Sequence, residues 1–132
     1  MKTLENYIKV VDLIPNADQD ADLDGSENPV DMQAGGGFDT VLALVSVGAI
    51  TGTPDTVEVS FVEGDEADLS DATEIAGGAA VEVAEDTSYT FQLERSKRYV
   101  GAVLTFTGGT TPTAIVSAVG VLTNWARPFP LR

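Results

Sequence analysis

Thr56-Val57-Glu58-Val59-Ser60-Phe61-Val62-Glu63 sets Val57, Val59 and Phe61 against Thr56, Glu58 and Ser60 in strict alternation. Successive side chains of a strand point to opposite faces, so the stretch predicts a strand with one buried and one wet face. Residues 88–94 repeat the pattern, with Tyr89, Phe91 and Leu93 on one side and Thr90, Gln92 and Glu94 on the other. Residues 97–107 and 113–123 are apolar on both faces, which places them centrally, and Gly108-Gly109-Thr110-Thr111-Pro112 between them reads as a hairpin turn. Working outward, residues 7–14 are rich in β-branched side chains and stop at Pro15, residues 38–47 end at Gly48, and residues 80–84 form a further short strand. Thr51-Gly52-Thr53-Pro54-Asp55 is a turn, and the acidic residues 64–72 leave room for one turn of helix. No helical period runs longer than a turn, and no internal repeat is present. The expectation is an all-β fold: a single antiparallel β-sandwich or jelly roll of seven or eight strands with extended N- and C-terminal arms.

At 132 residues the chain is most simply one domain, with an N-terminal strand or arm over residues 1–14, an acidic, Gly-rich loop over 16–37, a core over 38–124 and a tail over 125–132. All twenty-one carboxylates lie at or before Glu94, against Lys2 and Lys9 alone, and the other five cations follow Glu94 with no acid among them. The net charge of −14 predicts a strongly solvated, self-repelling surface with one cationic end. Nucleic acid is a poor partner for such a chain, because most of its surface would repel phosphate. The longest apolar runs are too short to cross a bilayer, and the first six residues meet acid and amide where a signal peptide needs an apolar run. A soluble product made in a cytoplasm is expected. With no His and no Cys, the commonest general base, the commonest metal ligand and the strongest neutral-pH nucleophile are missing. No Gly-x-Ser-x-Gly turn, P-loop or dinucleotide fingerprint is present, so the expectation is a non-enzyme with no obligatory cofactor.

Two local features carry chemistry. Asp20-Ala21-Asp22-Leu23-Asp24-Gly25, continuing to Asp31, has the spacing of a calcium loop, with carboxylates at positions one, three, five and twelve and Gly at six. Asp20, Asp22, Asp24 and Asp31 are therefore candidate calcium ligands. Against this stand the short side chain of Asp31, Glu27 where an apolar anchor is usual, and Pro29 where an exiting helix would begin. A solvated acidic turn has the same sequence. The second feature is Asn124-Trp125-Ala126-Arg127-Pro128-Phe129-Pro130-Leu131-Arg132. Its prolines forbid helix, and aromatic plus Arg is the composition of interface hot spots. Trp125, Arg127, Pro128, Phe129, Pro130 and Arg132 are candidate interface residues, as are Arg95, Lys97 and Arg98 before the first central strand. Docking onto the chain's own sandwich and contact with a neighbouring subunit would bury the same rings.

The run Gly37-Phe38-Asp39-Thr40-Val41, then Val45-Ser46-Val47-Gly48-Ala49-Ile50-Thr51, the acidic residues 63–71, and Arg98-Tyr99-Val100-Gly101-Ala102-Val103-Leu104-Thr105 with Gly108-Gly109-Thr110 and Pro112 together resemble the capsid decoration (cement, or head-stabilisation) proteins of tailed bacteriophages. The resemblance covers residues 30–122 as a pattern of strands and turns, and extends neither to the loop over residues 16–28 nor to the tail over 125–132. It implies a β-sandwich, commonly trimeric, seated on the outside of a mature head and clamping the major capsid protein, in a virion assembled in the host cytoplasm. A minor tail or head–tail joining protein, and a calcium-dependent adhesion module, are the alternatives.

Overall fold

In a computed structural model, residues 8–33 and 37–123 are described. They form ten antiparallel strands: β1 (Ile8–Gln19), β2 (Leu23–Asp24), β3 (Val30–Asp31), β4 (Thr40–Thr51), β5 (Thr56–Gly64), β6 (Thr73–Glu74), β7 (Val81–Glu82), β8 (Thr87–Glu94), β9 (Tyr99–Thr107) and β10 (Thr113–Thr123). The first sheet runs β1-β10-β4-β8. The second runs β2-β9-β5-β6, with β3 also on β9 and β7 also on β5.

The alternation that predicts β5 is what builds the core. Val57, Val59 and Phe61 are buried from the second sheet, and Val41, Ala43, Val45, Phe91 and Leu93 from the first, in one cluster. Phe61 and Phe91 meet edge-on at 4.9 Å and 66° between the two sheets, a geometry that adds about 1 kcal/mol to simple burial. The same parity carries Glu63 inward at the end of β5, where it is 4% exposed. Its carboxylate accepts bonds from the Ser96 amide and hydroxyl, which is why a charge is tolerated there.

Several expectations change. Residues 97–107 and 113–123 are central as expected, but they do not form a hairpin. β9 lies between β2 and β5 in the second sheet, and β10 between β1 and β4 in the first. Residues 108–112 instead cross from sheet to sheet, held by the Thr110 amide on the Gly52 carbonyl at 2.9 Å. Pro15 does not end β1, because β1 is an edge strand and its register shifts on either side of Ile14, so a missing donor is absorbed at a bulge. Nor does Gly48 end β4, which bulges there instead: Gly48 and Ala49 stand opposite the single residue Ile115 of β10. The acidic residues after β5 make turns rather than helix, and Leu69 is buried among them with φ of 56°. The loop expected over 16–37 contains the end of β1 and the short strands β2 and β3.

Candidate functional site

β10 and β4 are the two central strands of the first sheet, and their inward residues fill the core. Their outward residues are Ile115, Ser117, Val119, Val121 and Thr123 on β10, and Thr40, Leu42, Leu44 and Ser46 on β4, with no charge among them. Cross-strand register extends the rows to the edges: Val10–Val121–Leu42–Gln92 is one row, and Asp12–Val119–Leu44–Thr90 the next. Val10 is 64% exposed, Leu44 and Ile115 41%, and Leu42 39%. This uncharged apolar stripe on a chain of net charge −14 is the candidate interaction surface. Charge returns on this face only at the edge strands, as Asp12 and Asp18 on β1 and Glu94 on β8.

The expected cationic site is largely occupied with holding the fold. Arg95 donates through Nε to the Phe38 carbonyl and through Nη1 to the Lys97 carbonyl at 3.2 Å. Arg98 forks onto Asp31, Nε to Oδ1 at 3.0 Å and Nη2 to Oδ2 at 2.9 Å, and sits 5.2 Å from the centre of the Tyr99 ring. That carboxylate holds the Arg98 guanidinium above its ordinary pKa. Lys97 lies close enough to Asp71 to help lower that carboxyl, after the larger effect of the bond it accepts from the Asp65 amide.

The four aspartates with calcium-loop spacing do not converge. β2 and β3 both pair with β9, Asp24 opposite Val103 and Asp31 opposite Tyr99, four residues and so about 13 Å apart along the strand. Asp22 accepts from the Phe106 amide at 2.9 Å. Asp24 accepts from the Ser26 amide and hydroxyl at 2.9 and 2.6 Å, which lowers its carboxyl below the usual range. Glu27 takes the amides of Asp24 and Gly25 at 3.1 and 3.0 Å, Asp31 is held by Arg98, and Asp20 is exposed between β1 and β2. Among the described residues no group of three or more carboxylates is gathered to hold a metal ion. Trp125, Arg127, Pro128, Phe129, Pro130 and Arg132 lie outside the described residues.

Sequence reasoning missed the outward stripe of the first sheet, although its signal was present. Apolarity on both faces of residues 113–123 reads as burial on both faces, whereas the described residues cover only one. No family model, curated protein or solved structure matches the chain.

Proposed function

We propose that this chain is a non-catalytic structural virion protein that binds the outer surface of a phage head and stabilises the capsid lattice. The carrying observation is the uncharged apolar face of the first sheet on an otherwise acidic subunit. Such a division keeps free subunits apart by repulsion and leaves one adhesive side for a protein partner. The partner in this reading is the major capsid protein, with self-association into a homotrimer, and many identical copies make individually weak contacts collectively strong.

The topology supports the same reading. If β2 with β3, and β6 with β7, are each taken as one interrupted strand, the sheets run 1-8-3-6 and 2-7-4-5. That order of eight antiparallel strands in two sheets is the one a jelly roll takes, an architecture recurrent in capsid proteins. The resemblance of residues 30–122 to decoration proteins points the same way.

Quantitative mass spectrometry of purified particles tests the proposal. Copies near-stoichiometric with the major capsid protein are expected. A handful per particle would move the protein to the tail or the neck, and complete absence would overturn the virion reading.

A further inference from the structure

An open sheet edge is a template for another strand, and soluble proteins blunt such edges with bulges, Pro, Lys or short strands. Both ends of the second sheet are two-residue strands, β2 with β3 and β6 with β7. At one end of the first sheet, β1 carries Pro15 and shifts register on either side of Ile14. The other end, β8, has none of these devices. It is eight residues long without Pro or Lys, and its register with β4 is unbroken from Thr87 opposite Val47 to Glu94 opposite Thr40.

The direction of its backbone groups follows from two bonds. Arg95 donates its amide to the Asp39 carbonyl, on the β4 side, and Glu94 donates to the Ala76 carbonyl, on the other. Such groups alternate along a strand, so those of Ser88, Thr90 and Gln92 point away from β4 with those of Glu94. Ala76 forms one isolated bridge to Glu94, and Gly77 lies against the Gln92 carbonyl, too close for a side chain. Among the described residues no strand pairs with the rest of that edge. The side chains of Ser88, Thr90 and Gln92 are exposed and uncharged, while exposed carboxylates stand on either side, Glu85 and Asp86 before β8 and Glu94 at its end. Arg95 does not offset them, because its guanidinium turns to the Phe38 and Lys97 carbonyls.

We propose that the free edge of β8, over residues 88–92, takes up an extended segment of another protein as an added strand, uncharged where it pairs and cationic on either side. Main-chain bonds supply the pairing, as in other cases of strand addition, and the flanking carboxylates select the charge. A second copy of this chain fits the edge poorly. Two copies meeting with Thr90 opposite Thr90 would set Glu94 of each against Asp86 of the other, and like charges facing across a strand pair repel. A register displaced by two residues needs either the Glu94 amide, already given to Ala76, or Asp86, whose φ of 56° lies outside the strand region. A strand added at this edge lengthens the first sheet and leaves its outward face uncovered. The inference does not need the virion reading, because the edge selects by backbone geometry and charge whatever protein supplies the strand.

The test uses the isolated full-length chain and a blocked peptide, Lys-Val-Thr-Val-Thr-Val-Lys, whose sequence reads alike in both directions. Amide NMR titration is expected to show saturable binding, with the largest shifts and the most slowed exchange at Ser88, Thr90 and Gln92. The same peptide with Glu at both ends, and one N-methylated through its centre, are each expected to bind about tenfold more weakly. Thr90→Pro removes an amide that points away from β4, so the ladder to β4 stays whole. It is expected to keep the circular dichroism of the unsubstituted chain and to weaken binding of the Lys peptide about tenfold. No binding of the Lys peptide, shifts centred away from β8, or equal binding of either altered peptide would overturn the proposal, and the peptide comparisons do so even if Thr90→Pro fails to fold. A dimer of the unsubstituted chain that Thr90→Pro dissociates would also overturn it, by giving the edge to a second copy. None of these measurements involves a capsid, so they fail or succeed independently of the particle stoichiometry.

Discussion

On the outward side of the second sheet, Leu69 closes over Gly101. A side chain at Gly101 would begin 2.5 Å from the Leu69 methyl and 2.6 Å from the Gly25 carbonyl oxygen. The turn after β2 and the acidic turns after β5 thus meet above β9, and the second sheet carries its own lid, with Asp24, Glu27, Asp65, Glu66 and Asp68 facing water. On the outward side of the first sheet, no described segment covers Leu42 and Leu44. The two sheets share a core, so the contrast is not one of stability. It is one of charge: acids and self-capping turns gather on one side, and the central strands of the other present no charge.

Substitutions break or sharpen this comparison in a definite order. Phe61→Ala removes the aromatic contact that joins the sheets and is expected to destabilise by about 3–5 kcal/mol, read as a lower urea midpoint at unchanged slope. Gly101→Val drives a side chain into Leu69 and the Gly25 backbone. It should cost about 1–3 kcal/mol, and a neutral result would mean that the lid is loosely held. Arg98→Ala removes a fork onto Asp31 whose partners are 45% and 31% exposed. Only a small loss is expected, shrinking further in high salt.

Acid acts on the same side of the molecule. Asp24, Asp68 and Asp71 are lowered from 3.8, chiefly by bonds from Ser26, the Ser70 amide and the Asp65 amide respectively. Because their folded values lie below the unfolded one, the stabilisation they give is complete above 3.8 and lost as pH falls through the folded values. Denaturation series at decreasing pH should therefore show a steeper acid loss in the unsubstituted chain than in Asp71→Asn. Smallest of all is Leu44→Ser on the first sheet, expected to stay within about 0.5 kcal/mol. A large loss there would mean that the outward stripe is structural rather than adhesive.

Alternation over residues 56–63 and 88–94 made the strands legible, and the two-sided apolarity of residues 97–107 and 113–123 made the central strands legible. Pairing was not, because Gly108 and Gly109 report that the chain turns and not which sheet it turns into. Pro15 and Gly48 misled for a related reason: their effect depends on the bulges of β1 and β4, which are tertiary features. The calcium-loop spacing is one-dimensional, and β9 draws Asp24 and Asp31 apart by pairing with both short strands. The basic residues before β9 were visible as charges. That Arg98 is tied to Asp31 follows from β3 lying beside β9, and that Arg95 is tied to Phe38 from the start of β4 lying beside the end of β8, neither of which the sequence displays.

The central claim is that the first sheet presents the adhesive side. Its most direct test is co-sedimentation of the purified chain with heads lacking it, comparing the unsubstituted protein with Leu44→Asp and with a variant truncated after Asn124. The account predicts saturable binding near one copy per capsid subunit for the unsubstituted chain, and loss of binding in both variants with their folds retained. Equal binding by all three, or none by the unsubstituted chain, would contradict it.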